Sequence, residues 1–268
     1  MKRLELLLVY TFAFSTAICF LNQPLLGQGD LADEAAAIDE AWDAEQEVLE
    51  KITELGGWYK TKKCLTGDMK DMVDPDKQEF VVEVNMVYNE DETGRQDNEN
   101  MSADALQFIG KCSQVRKILL SKSQANDEQL AHIADLKHVE SVYIWDGNDV
   151  TDDGVRHLSG LKKLKTLHLS NSAITDEAIG HLTGLPDIES LSLQGNNFTD
   201  KIFEHAAKFE KLNTLWVGIG NSELTDDGLK HLHECKNLKM LGIQQCGISA
   251  EAAEALRQKL ELETLYHN

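Results

Sequence analysis

The chain has 268 residues, with 46 Asp and Glu against 26 Lys and Arg, and a formal net charge of −20 at pH 7. This balance argues against nucleic acid as a partner, because holding a phosphate backbone requires a clustered basic face and the sequence contains no basic run. The acidity reads more simply as a solvated surface than as a site for a dedicated basic partner.

Lys2 and Arg3 lead into an apolar run from Leu6 to Leu21, the pattern of a targeting segment. Gly27-Gln28-Gly29 offers a small-x-small cleavage site and Ala17-Ile18-Cys19 a poorer one, while Ile18 disfavours lipidation at Cys19. Residues 1–29 are therefore read as a signal peptide, and the protein as exported to a periplasm, cell surface or medium with no membrane span after cleavage. An uncleaved anchor is the alternative, since the run is near the lower limit of a spanning helix.

Residues 30–79 read as a helix and cap. Apolar Leu31, Ala35, Ile38, Trp42, Leu49 and Ile52 recur at helical spacing, and Gly56-Gly57 ends the pattern. Two strands are predicted, at 58–62 and 80–88, separated by a polar stretch with Gly67 and Pro75. Between Met86 and Met101 a polar segment exceeds what later units need, which predicts an exposed, mobile insertion.

Residues 80–268 are read as a repeat domain. VRKILL from Val115, VESVYI from Val139, LKTLHL from Leu164, IESLSL from Ile188, LNTLWV from Leu212, LKMLGI from Leu238 and LETL from Leu262 follow one another at steps of 24, 25, 24, 24, 26 and 24 residues. Between them stand VTDDGVRHL, ITDEAIGHL, FTDKIFEHA and LTDDGLKHL. A unit of one strand and one helix cannot bury its own apolar face and must stack on copies of itself.

These blocks resemble leucine-rich repeats, in particular the cysteine-containing type that also occurs in F-box substrate receptors. The resemblance implies an α/β, right-handed solenoid, a horseshoe with a parallel sheet on the concave side and helices outside. Cys246 then stands where the family places Asn or Cys after the strand, and Cys112 and Cys235 where it places Cys near the end of the helix. Such residues serve as small buried hydrophobes. Pairing of Cys64 with Cys112 across the cap remains the alternative.

Each polar signal has a structural explanation. Thr151–Asp152, Thr175–Asp176, Thr199–Asp200 and Thr225–Asp226 each precede a helix, so the Thr hydroxyl is expected to cap it and the Asp to interact with its dipole. His132, His157, His181, His205 and His231 form a stacked ladder, but a spacing of about 8–10 Å between helices against bonds of about 2 Å disfavours an ion shared by successive rungs, and they read as helix-flank residues packing between repeats. Asp146, Asn148, Asp149, Asp152 and Asp153 resemble a calcium loop without the spacing of an EF-hand, and read as a bulged turn. No metal and no cofactor is expected.

Strict alternation along the strands sends the residues between the leucines to the open face of the sheet. One column runs Leu119, Tyr143, His168, Ser192, Trp216, Gly242, Tyr266, and the next runs Ser121, Trp145, Ser170, Gln194, Gly218, Gln244. Large rings among small polar residues resemble a binding hot spot, which makes Tyr143, Trp145, His168, Gln194, Trp216 and Gln244 the candidate ligand-binding residues. His168 and Ser170 raise a hydrolase reading, but neither an oxyanion hole nor a nucleophile turn is visible.

The expected function is non-catalytic recognition of a protein or other macromolecule. The alternatives are a structural, envelope-associated role without a specific ligand, and a ubiquitin-ligase-type substrate receptor, which conflicts with the signal segment. Leu262, Leu265 and Tyr266 predict a last strand whose open edge invites self-association.

Overall fold

The computed structural model describes residues 31–54, 58–63, 79–85, 88–91, 94–97, 105–121, 125–147, 149–221 and 223–267. The signal segment, Cys64 and the stretch with Gly67 and Pro75 lie outside the described residues.

The described chain opens with helix α1 (Leu31–Glu54), followed by β1 (Trp58–Lys63), β2 (Glu79–Asn85) and a hairpin of β3 (Tyr88–Asp91) and β4 (Gly94–Asp97). After α2 (Ala105–Ile109) come β5 (Lys117–Ser121), α3 (Asp127–Ala131), β6 (Ser141–Trp145), α4 (Asp152–His157), β7 (Thr166–Leu169), α5 (Asp176–Leu182), β8 (Ser190–Ser192) and α6 (Lys201–Ala206). The order closes with β9 (Thr214–Trp216), a 3-10 helix (Gly228–Glu234), β10 (Met240–Gly242), α7 (Ala250–Leu260) and β11 (Thr264–Tyr266).

Nine strands form one sheet in the order β1-β2-β5-β6-β7-β8-β9-β10-β11. β2 and β5–β11 run parallel to their neighbours, and β1 alone pairs antiparallel. The register sets like upon like: Val142 faces Leu167, Leu167 faces Leu191, and the row continues through Leu215 and Leu241 to Leu265. This is the leucine-rich repeat solenoid, with strands on one side of each coil and short helices on the other.

Inward leucines of the coils before the last are sealed: Leu167, Leu169, Leu191 and Leu215 are 0% exposed, and Phe198 and Phe203 fill the middle coils from the helix side, while Leu265 of β11 is only partly buried. Each such side chain contributes roughly 1.5–3 kcal/mol on burial. Helices α2–α6 have only five to seven residues, too few to be stable alone, so this shared core holds them. At the N-terminal end Val48, Leu49 and Ile52 of α1 join the same core beside Leu106, Ile109 and Cys112. Cys112 is a free thiol, fully buried, and burial reinforced by Glu45 pushes its pKa up.

The insertion predicted after Met86 carries a hairpin, in which β3 and β4 pair antiparallel with Asp91 opposite Gly94. The Thr-Asp pairs do more than cap. The Thr hydroxyls accept long N–H bonds of 3.3–3.4 Å within their own helices, from Asp153, Glu177 and Lys201.

The Asp carboxylates, by contrast, reach across to the next coil. Asp152 accepts the Thr175 N–H at 2.8 Å and its Oγ1–H at 2.6 Å. Asp176 does the same for Thr199, Asp200 for Thr225, and Asp226 for Ser249. Asp127 begins the series on Thr151. A carboxylate has only acceptors and a threonine offers two donors, so the pair closes a two-bond staple between coils. The sequence frames the ladder: residue 103, at the position equivalent to Asp127, is alanine, and Ala250 follows Ser249 where another Asp would otherwise stand.

A second ladder lies inside. Asn196 is 3% exposed, donates to the carbonyls of Leu169 and Leu193, and accepts the Ser172 N–H. Asn221 repeats part of this toward Val217 and Phe198, and the Cys246 thiol donates to the Ile243 carbonyl at 2.7 Å. Cys246 therefore occupies the asparagine position of its coil.

Candidate functional site

The open face of the sheet gathers the six candidate residues. Tyr143, Trp145, His168, Gln194, Trp216 and Gln244 are all partly exposed, four of them on strands whose alternate residues are buried and Gln194 and Gln244 just past the ends of β8 and β10. They do not form one site. In the N-terminal half the Tyr143 and Trp145 rings stack with centroids 5.5 Å apart, and His168 lies 5.1 Å from Trp145 and 6.2 Å from Tyr143. The Lys117 ammonium sits 5.6 Å from the Tyr143 ring centroid, while Glu83 takes its charge at 3.4 Å.

In the C-terminal half Trp216 stacks on Tyr266 with centroids 4.8 Å apart, although β10 lies between their strands. Adjacent strands are about 4.8 Å apart, so rings two strands apart meet only by leaning over the intervening one. Gly242 makes that possible: a Cβ there would come within 2.6 Å of the Trp216 indole. Between the two clusters the face is small and polar, with Ser192 donating to Gln194 at 3.0 Å.

Beyond the Lys117–Glu83 pair, charge on this face runs along one row at the strand entrances. Arg116, Glu140 and Lys165 run in alternating sign, with Glu140 3.7 Å from Arg116 and 2.8 Å from Lys165, and Lys239 pairs with Glu263 at 2.6 Å. The hydrogen bond from Lys165 holds Glu140 below the usual carboxylate range. His168 is pushed below the ordinary histidine value of 6.5 by burial, which keeps its ring neutral. Its Nε2 lies 3.3 Å from Ser170 Oγ, and Ser170 is buried.

The remaining polar signals are placed elsewhere. The histidine ladder lies on the helix side, where His205 packs over Gly180 and His231 Nε2 lies 3.4 Å from Glu204. Among the described residues no three His, Cys, Asp or Glu side chains gather as a metal site. In the Asp146 turn the carboxylate accepts the Asn171 side-chain N–H at 2.6 Å, which ties it to the next coil.

Two residues outside the six belong to the surface. Tyr266 and Ile219 are the large hydrophobic side chains most exposed among the described residues, at 40% and 42%. Ile219 stands just past β9 in left-handed backbone, φ 59°. Other coils hold Asp146, Asn171, Gly195 and Gln245 at the equivalent turn, all at positive φ. The signal was available in the sequence, as the one β-branched residue in a column of polar residues and glycine.

Residues 137–198 match the family model for the leucine rich repeat. No curated protein matches the chain. Among solved structures the fold is similar to an internalin C2 from Listeria monocytogenes, at 19% identity and TM-score 0.53, over 86% of this chain and 96% of that one. A second internalin from the same organism, inlF, is similar at 18% identity and TM-score 0.45 over 61% of this chain, which spans only 52% of that chain's length. The C-terminal domain of a Caenorhabditis elegans tropomodulin is similar at 19% identity and TM-score 0.43, over 51% and 92%. Repeat match and architecture together define the class: this is a leucine-rich repeat solenoid with an aromatic inner face.

Proposed function

We propose that this protein is a non-catalytic recognition module that holds a protein partner on the open face of its sheet. The observation that supports this reading is the placement of Tyr143, Trp145, His168, Trp216 and Tyr266 in two ring clusters on one face, among hydroxyl and amide side chains. Aromatic residues are the side chains most often found as binding anchors. The opposite, helical side is faced with exposed ion pairs such as Asp153–Arg156, Asp227–Lys230 and Glu254–Arg257, which suit solvent.

Lys2, Arg3 and the apolar run after them support export, and the repeat pattern with Cys246 in the asparagine position supports the cysteine-containing repeat subclass. Among the described residues no helix is long and apolar enough to cross a membrane. Affinity capture with the full chain, compared with a Tyr143→Ala/Trp145→Ala/Trp216→Ala variant and with Lys230→Ala, tests the proposal. Species held by the wild type and by Lys230→Ala but lost from the triple variant are expected. Equal recovery by all three would place binding on another surface.

A further inference from the structure

Several coils turn through left-handed backbone at the strand end, but only the turn after β9 places a β-branched residue there. The turn there is Gly218-Ile219-Gly220, in the one coil of 26 residues. Gly218 approaches the next coil so closely that a Cβ would stand 2.3 Å from the Gln244 nitrogen. Gly220 has φ 90°, and between the two glycines Ile219 is held at φ 59°. A β-branched residue in that region is a real outlier, because its Cβ substituents crowd the backbone where Asn, Asp or Gly fit.

The backbone itself is well engaged, with Ile219 N–H donating to the Gln244 carbonyl and its carbonyl accepting from Gly195. The fold therefore requires the left-handed turn but not the isoleucine. A second unfavourable feature lies three residues away: the Trp216 indole N–H is buried without an acceptor. Local strain and an orphaned donor at one strand end, beside the two most exposed hydrophobic side chains, mark a functional position more than a structural one.

The charge pattern selects the occupant. On β8–β11 the outward positions are Ser, Thr, Trp, Met, Gly and Tyr, without one charge; in the entrance row Lys239 and Glu263 are paired with each other and Glu189 stands next to Lys165. A charged segment finds no counter-charge on these strands themselves, whereas an apolar side chain meets Trp216, Ile219 and Tyr266.

We infer that Ile219, with Trp216 and Tyr266, forms the anchor point of the recognition face and takes an uncharged protein segment bearing a large apolar residue. The inference rests on the reading of the sheet face as the binding surface and assigns its specificity to the C-terminal half. The Ile219 side chain is kept in an unfavourable backbone state because its exposed apolar atoms contact the partner.

The test uses the full chain and two measurements. Ile219→Asn keeps the turn with a residue suited to it, so its thermal unfolding midpoint should rise by about 2–4 °C. An unchanged or lower midpoint would overturn the strain argument. A phage-displayed random dodecapeptide library, selected on the wild-type chain, should yield uncharged sequences with a large apolar residue, and their binding should weaken about fivefold or more in Ile219→Asn and in Trp216→Ala. Peptides that respond to Tyr143→Ala but not to Ile219→Asn would overturn this inference and leave the sheet-face reading standing. Peptides indifferent to all three variants, or no enrichment, would count against both. Failure of the peptides together with binding of cellohexaose would assign the face to a glycan and likewise overturn the inference.

Discussion

The Asp-Thr ladder and the open sheet face are built from the same coils, yet they behave oppositely along the solenoid. On the ladder each rung repeats the last: Asp127, Asp152, Asp176, Asp200 and Asp226 each take one N–H and one O–H from the coil that follows. On the face the central outward row changes from coil to coil, through Tyr143, His168, Ser192, Trp216 and Gly242. Repetition follows from a contact that every coil must make with the next. Variation is free where no such contact exists, which is where a partner can be accommodated.

The largest effect that tests this contrast lies within one strand and the turn it enters. Leu193→Ala should cost about 2–5 kcal/mol in urea unfolding, as core truncations do, whereas Ser192→Ala beside it should fall within about 0.5 kcal/mol. Comparable losses from both would break the division into inward and outward positions. Next comes the ladder itself. Asp176→Ala leaves the Thr199 N–H without its partner in a largely buried setting and should cost about 2–3 kcal/mol. Asp226→Ala, at an exposed rung, should cost clearly less. Equal losses at the two sites would mean that burial does not govern the staple.

A smaller change is expected from the face. Tyr143→Ala should lower stability by about 1 kcal/mol, through the lost stack with Trp145, while weakening partner binding by more than about 1 kcal/mol. Loss of stability without loss of binding would make the ring a structural element.

The smallest effect is the pH response. Burial lowers the folded pKa of His168, so the neutral ring stabilises the fold fully above pH 6.5, and that contribution is lost as pH falls below it. His138 is lowered in the same direction, by burial and by Lys163. Stability followed from pH 7.5 to 5 should therefore decline, with a shallower slope in His168→Gln. Asp226, held below 3.8 by the Ser249 bonds, contributes above that value and loses its contribution only at lower pH. Asp176, raised by burial, acts in the opposite sense. An unaltered slope in His168→Gln would show that the ring is solvated.

Much of the candidate surface could be read before folding, because alternation along a strand is a local rule and the period locates each strand. The outward columns of Tyr143, His168 and Trp216 follow from that rule alone. Division into two clusters does not. The pairing of Trp216 with Tyr266 depends on a missing side chain at Gly242, fifty residues of chain being folded into two coils between the rings. The roles of Asp152 and Asp176 were equally hidden, since capping is a contact within one helix and the staple spans 23 residues.

By itself the sequence determined the solenoid, its core leucines and the residues turned outward, because each is the consequence of a period: about 24 residues for the coil and two for the strand. Only the tertiary structure decided which outward residues meet, which carboxylate serves which coil, and that Ile219 stands in left-handed backbone. Those depend on how one coil is seated against the next, and the spacing of residues in one unit carries no information about that seating.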